Sequence, residues 1–449
     1  MSQNHLRRVP SSGAVDVGYP TGHLGHLTEH ETQALADFKA LLQEKGLYRP
    51  GPLPSHDDPT LLRYLRARKW VPQDAYVQFS ETEKFRNANE IEKLYDTIDI
   101  DSYEASRKLY PRFTGRRDKR GIPIYVFQIR HLDSKAVADY ERSTETTYSK
   151  AKTDGKTPPK LLRLFALYEN LTRFVQPLAS ECVDRTYPQT PITLSTNIVD
   201  ISHVSLRMFW NLKAHMQAAS QLATAHYPET LDRIFIIGAP YFFSTVWGWI
   251  KRWFDPVTVS KIFILSDHDI LPVLTTFMDI ENIPKSYGGK LHWNFFDEPA
   301  YDDEIRRIVE WENGFTNFPP GPCHWRPTED GTRLECLAVG SQNGEERRVR
   351  VCTIPKAFPA GSGPESGSDT LVANGEKESV TITGDQGAAT ETTSKAALPK
   401  PDSADATTVE STADAVAGLV ITDAKDPAET PAAEKIAEAA EAATETKAH

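Results

Sequence analysis

Between residues 233 and 265 the chain reads RIFIIGAPYFFSTVWGWIKRWFDPVTVSKIFIL: two strand-like apolar runs enclosing an aromatic stretch with very little polar face. Ile234, Phe235, Ile236 and Ile237 favour an extended, buried conformation, and Gly238-Ala239-Pro240 ends it, because proline has no N–H for a sheet ladder. Ser244 or Thr245 is placed to cap a helix whose Val246, Trp249, Ile250, Trp253 and Phe254 recur at spacings of three and four, with Trp247 off that stripe. Lys251 and Arg252 beside the tryptophans make the pattern of an interfacial helix, with rings at headgroup depth and cationic tips in water. Ordinary packing into a core fits the stripe as well, and both readings stand. A membrane span fits less well, since 234–250 is interrupted by Gly238 and Pro240 and is shorter than the ~20 apolar residues a spanning helix needs.

The rest of the chain sets this stretch in a repeating pattern. Thr28-Glu29-His30-Glu31 reads as a capping box opening a helix with Leu35, Phe38, Leu41 and Leu42 on one face, ending near Gly46. A second helix begins after Asp58-Pro59-Thr60 and runs LLRYLRARKW; a third covers 73–87 with Ala75, Val77, Phe79 and Phe85. Beyond residue 105, strands are expected at 122–129, 193–201, 233–237 and 261–265, separated by helices at 160–180, 205–226 and 244–254. Strand-helix-strand repetition implies right-handed crossovers, hence an α/β fold with a largely parallel sheet. Within 321–354, LECLAVG and RRVRVCTI flank SQNGEE, where Asn343-Gly344 signals a hairpin turn in a small β appendage. The expected organisation is a flexible N-terminus (1–27), a helical N-terminal lobe (28–104), an α/β lobe (105–292), a helix with the β appendage (293–355) and a tail (356–449).

Charge separates the tail from the rest. Residues 356–449 carry 17 acidic against 7 basic side chains, leaving the remainder of a chain of net charge −11 near neutral. Rich in Ala, Thr, Ser, Gly and Glu, with Phe358 its one aromatic residue, the tail is expected to be disordered because it cannot bury enough apolar surface to offset its ordering entropy. A near-neutral folded part argues against a nucleic-acid partner. The four cysteines, at 182, 323, 336 and 352, lack metal-site spacings and are expected as free thiols, with no metal bound. The opening segment has no apolar run of the kind a secretory signal needs, so the expected location is the cytoplasm.

Six segments together resemble the CRAL-TRIO lipid-binding family, above all its fungal phosphatidylinositol/phosphatidylcholine transfer branch. They are LLRYLRARKW (61–70), DKRGIPIYVF (118–127), NIVDIS (197–202), YPETLDRIFIIGAP (227–240), DPVTVSKIFIL (255–265) and IPKSYGGKL (283–291). The resemblance implies that the sheet floors a hydrophobic lipid pocket closed by a gate helix. It carries a phosphoinositide headgroup site over to Arg68, Lys69, Asp118, Glu229, Thr258 and Lys261. It carries a phosphatidylcholine and acyl pocket to Tyr125, Tyr168, Ser195 and Asn197, and gate or membrane contacts to Phe242, Phe243, Trp247, Trp249, Ile250, Trp253 and Phe254. Thr230 stands where the family commonly has arginine, Thr114 where the branch often has tyrosine, and Asn197 where it has threonine. From the residues alone, a solvated helix face is the favoured reading for Arg63, Arg66, Arg68 and Lys69.

The expectation is a non-enzymatic monomer whose only bound group is its lipid cargo. It exchanges phosphatidylinositol, and phosphatidylcholine or another second lipid such as a sterol, at membrane surfaces that it visits transiently, with Golgi and endosomal membranes as candidates. The alternative is a lipid-sensing scaffold that presents phosphatidylinositol to a lipid kinase. Against catalysis, Ser266-Asp267-His268-Asp269 places hydrolase-like residues side by side, whereas catalytic triads converge from separate elements, and no G-x-S-x-G elbow is present. Neither a P-loop nor a strand-linked G-x-G-x-x-G offers a nucleotide site.

Overall fold

A computed structural model of the chain describes residues 18–51, 53–243, 247, 248, 251 and 259–357, with side chains 213–215 outside the description. The helical lobe starts where the capping box predicts: Thr28 Oγ1 accepts from the Glu31 amide and Glu31 Oε2 from the Thr28 amide, opening α1 (Glu29–Glu44). Asp57 caps α2 (Asp58–Ala67), and α3 (Pro72–Ala88) follows. Leu35, Phe38, Leu42, Leu61, Leu62, Leu65 and Phe79 close a core among these three helices, joined by Ala75, while Val77 of the predicted stripe is exposed. Two shorter helices, α4 (Ile91–Thr97) and α5 (Ile100–Arg107), lead into the sheet.

β1 (Arg112–Arg117) and β2 (Pro123–Gln128) pair antiparallel; the chain then passes through α6 (Ser134–Thr144), α7 (Pro159–Asn170) and α8 (Gln176–Glu181) to β3 (Ser195–Asp200). Helix α9 (Leu206–His226) leads to β4 (Leu231–Ile237), and β5 (Ile262–Ile264) completes a sheet of order β1-β2-β3-β4-β5, parallel from β2 onward. Pleating sorts the side chains between two faces. Ile124, Val126, Ile198, Phe235 and Ile237 pack on the back against α10 (Ile270–Phe277) and residues 283–295. On the front, Phe127, Val199, Ile234 and Ile264 meet α7 and α9.

The helix expected at 160–180 is interrupted. A π turn, Leu171–Val175, separates α7 from α8, with the Gln176 amide reaching back to the Leu171 carbonyl. Pro177 supplies the cause, since it has no N–H to continue the α ladder. β1, which the sequence did not announce, is held by Arg117, whose guanidinium meets Asp184 at 2.7 Å and Asp302 at 2.8 Å.

After α11 (Asp303–Ile308) the chain forms β6 (Glu310–Trp311), β7 (Cys323–Pro327), β8 (Arg333–Ala338), β9 (Ser341–Gln342), β10 (Glu345–Glu346) and β11 (Val349–Pro355). A four-stranded antiparallel sheet runs β6-β11-β8-β7, while β9 and β10 pair around Asn343-Gly344, both at positive φ as a type I′ turn requires. This sheet is tied to the helical lobe: the Gly340 amide donates to the Asp96 carbonyl, and the Ser341 amide and hydroxyl to the carbonyls of Ile98 and Thr97, each at 2.9 Å. No helix among the described residues is long and apolar enough to cross a membrane.

Candidate functional site

The front of the sheet is not filled. A cavity of about 520 Å³ lies there, in the size range of small-molecule sites, walled by α5, α7, the π turn, α9 and residues 298–323. Its lining is mainly apolar and aromatic, including Phe127, Leu164, Leu167, Leu171, Met216 and Ala219. Alternation decides which strand residues reach it: Tyr125, Ser195 and Asn197 face the cavity, whereas Ile124, Val126 and Ile198 face the back core.

One rim is charged. Strands β3, β4 and β5 run parallel, so their N-terminal ends share an edge, where Ser195 is in register with Leu231 and the Lys261 carbonyl accepts from the Ile234 amide. Lys261 Nζ donates to Glu229 Oε2 and to the Leu231 carbonyl, both at 3.0 Å. The end of α2 adds Arg66, Arg68 and Lys69, so four cations share this rim with the carboxylate of Glu229, while Arg107, Arg112 and Glu298 line the cavity elsewhere. Arg68 Nε is held by Gln78 Oε1 at 2.9 Å, and Gln78 in turn donates to the carbonyls of Thr224 and Ala225 on α9. Burial lowers the Arg66 guanidinium to about 10, with Glu229 drawing it partly back. It stays charged at neutral pH. Lys69, Trp70 and Glu229 all adopt positive φ, a backbone state costing about 1–3 kcal/mol for such residues and concentrated at functional sites.

Deeper in, Tyr168 stacks on Tyr227 at 4.7 Å between centroids, and Tyr125 tilts against Phe113 at 5.6 Å. Burial raises both phenols, that of Tyr168 to about 12, so both are neutral donors at pH 7. Neither hydroxyl has a hydrogen-bond partner among the described residues. Asn197 Nδ2 donates to Ser195 Oγ at 3.0 Å, and Ser195 Oγ donates to the Thr230 carbonyl at 3.2 Å. Beneath Tyr227, Glu169 takes Arg86 at 2.6 Å and the Tyr227 hydroxyl at 2.6 Å. Burial alone would raise Glu169, but Arg86 brings it down to about 2.

The structure thus brings together Arg68, Lys69, Glu229, Lys261, Tyr125, Tyr168, Ser195 and Asn197. It does not bring Asp118 to the cavity. That carboxylate accepts from Thr196 Oγ1 at 3.1 Å and from the amides of Arg120 and Ile122, and Thr196 points away from its cavity-facing neighbours. Asp118 is a buried brace of the β1–β2 turn, pairing with Arg120, which also meets Asp232. The solvated face expected for the RARK segment holds for Arg68 and Lys69, while Arg63 is buried and Arg66 half-buried. Thr230 donates its hydroxyl to the Tyr227 carbonyl, and Thr114 spans to the Ile124 carbonyl, outside the cavity lining. Thr258, Trp249, Ile250, Trp253 and Phe254 lie outside the described residues. Of the remaining gate positions, Phe243 is buried and stacked on Trp247, with Phe242 half-buried beside the exposed Tyr241. Ser266 to Asp269 form an exposed turn before α10, with Ser266 Oγ donating to Asp269.

Sequence reasoning missed Arg66 and Gln78 at the rim, and Tyr103, Phe174, Tyr301 and Phe318 in the wall. Pro177, inside a helical pattern, was the available signal for the π turn that places Phe174. Phe318 offered none.

Fold and site together define a binding protein for a ligand that is apolar along most of its length and anionic at one end. The chain belongs to the CRAL/TRIO family: the CRAL/TRIO domain matches residues 108–289 and the CRAL/TRIO N-terminal domain residues 34–81. It is 30% identical to the Sec14 cytosolic factor of Schizosaccharomyces pombe over 60% of this chain and 86% of that protein. With the SEC14 cytosolic factor of Eremothecium gossypii it shares 28% identity, covering 64% and 84% of the two chains. A phosphatidylinositol/phosphatidylcholine transfer protein of Arabidopsis thaliana, SFH9, is 26% identical over 63% of this chain and 46% of that one.

Proposed function

We propose that this chain extracts a phosphatidylinositol from one membrane, carries it with its acyl chains in the front cavity, and releases it at another, accepting phosphatidylcholine as a second cargo. The observation that carries the reading is an apolar cavity whose rim presents Arg66, Arg68, Lys69 and Lys261 around one carboxylate. The names of its relatives point the same way. A two-chain phospholipid has around 30 methylenes, so at ~0.8 kcal/mol each its passage into water costs on the order of 20 kcal/mol. A dry cavity removes most of that barrier.

In this reading the rim cations, Lys261 among them, meet the phosphate, and Glu229 hydrogen-bonds the inositol hydroxyls. Tyr125, Tyr168 and Ser195 offer hydroxyls to a choline-lipid phosphate, while the tyrosine faces meet the quaternary cation. The segment from Phe242 onward is the gate, opening where its aromatic rings meet the bilayer interface. Asp118 has no direct part, being committed behind the sheet. The test is transfer of labelled phosphatidylinositol and phosphatidylcholine between donor and acceptor vesicles. The full chain should accelerate both above the spontaneous rate, and a rate equal to the protein-free control would refute the proposal.

A further inference from the structure

The C-terminal sheet lies beyond the residues matched by the CRAL/TRIO domain, yet Phe318, Pro319, Gly321 and Cys323 line the same cavity as the charged rim. Phe318 sits in a box of four rings, with centroids 4.8 Å from Phe174, 5.0 Å from Trp311, 5.3 Å from Tyr301 and 6.1 Å from Trp325. Through Tyr301 the box continues to Phe113 and Tyr125 on the sheet. Strand β7 holds the opposite side: Trp325 Nε1 donates to the Phe174 carbonyl at 3.0 Å, and Arg173 Nη2 meets His324 Nδ1 at 3.0 Å. Both π-turn residues are therefore gripped by neighbouring side chains of β7. The Tyr95 hydroxyl donates to the Cys323 carbonyl at 2.6 Å, and the Gly321 amide to Glu104 at 2.7 Å, fixing the segment to α4 and α5. Of the charged groups in the lining, Arg107 takes both oxygens of Glu104 and Arg112 donates to the Asp297 carbonyl at 3.1 Å, while Glu298 lies in the same lining.

From this geometry we propose that residues 318–325 form the terminal wall of the cavity and select cargo by acyl-chain length and bulk, with Phe318 as the stop. The inference rests on the lipid-carrier reading and adds what that reading leaves open: which chains fit. A ring backed by four others cannot swing aside without displacing them, so the wall is stiff enough to discriminate. Replacing Phe318 by alanine opens space at the end of the cavity opposite in character to the charged rim, and each further methylene accommodated is worth about fourfold in retention.

The experiment loads the full chain from vesicles containing an equimolar ladder of phosphatidylinositols with saturated chains of increasing length, and identifies the retained lipid by mass spectrometry. Phe318→Ala should shift the retained distribution toward longer chains than the unaltered protein keeps. Phe318→Leu, a milder truncation, should shift it the same way by less, and carries the test should the alanine variant not fold; thermal unfolding reports folding for both. Trp325→Phe, which removes the N–H donor to Phe174 together with part of the ring that packs on Phe174 and Phe318, should broaden the distribution. Identical distributions in all lipid-loaded variants would overturn the inference while leaving the carrier reading intact. An unaltered protein that retains no lipid at all would overturn both.

Discussion

The two faces of the five-stranded sheet are built from the same strands and treated oppositely. Behind it, Ile124, Val126, Ile198, Phe235 and Ile237 meet Val273, Leu274, Phe277 and Trp293 in a closed core. In front, the alternate residues Tyr125, Ser195 and Asn197 look into open space. Side chains that border a void lose their dispersion partners, so the front contributes less to stability than the back for similar composition. The fold keeps its shape with the back and keeps room for a ligand with the front.

Phe235→Ala should give the largest effect, because it empties a fully buried site where the ring stacks on Phe263 and tilts against Phe277. The expected loss is about 3–5 kcal/mol by denaturant titration of the ligand-free chain. A loss under about 1 kcal/mol would show that the back core is not the frame.

Acid should loosen the front. His226, at the end of α9, packs between Phe85 and Phe165, and burial, then Arg86, lowers its imidazole to about 4. The unfolded chain takes up this proton near 6.5, so the contribution of His226 is fully present above that pH. It is lost as pH falls toward about 4, by on the order of 3 kcal/mol. His226→Gln should flatten the stability profile across that window; an unchanged slope assigns the acid sensitivity elsewhere.

At the rim, Lys261→Ala combined with Glu229→Ala should reduce phosphatidylinositol transfer at least about tenfold, as expected for lost charge-assisted hydrogen bonds. Phosphatidylcholine transfer should persist. Equal loss of both would break the division between rim and interior. The smallest change in stability belongs to Tyr125→Phe, within about 0.5 kcal/mol because its hydroxyl bonds to no described residue. Choline-lipid transfer should nonetheless fall. Intact transfer would remove Tyr125 from the site.

Features governed by local rules were readable from the sequence: the Thr28 capping box, the parallel strands ended by Gly238 and Pro240, and the Asn343-Gly344 turn. Glu229 and Lys261 were marked as site residues by the family resemblance and not by local rules; the fold sets the two side chains 3.0 Å apart. What escaped depends on partners far away in the chain. β1 reads as a charged loop until Arg117 finds Asp184 and Asp302. Asp118 resembles a headgroup ligand until pleating turns Thr196 and Asp118 to the back. Phe318 acquires meaning only when β7 folds against a π turn more than a hundred residues earlier.

The central claim is that the unfilled front holds a phospholipid, and native mass spectrometry of the purified full chain after incubation with phosphatidylinositol vesicles tests it most directly. The account predicts one dominant species heavier than the polypeptide by the mass of a single two-chain phospholipid, released on denaturation. A spectrum showing only the bare polypeptide mass under those conditions would contradict it.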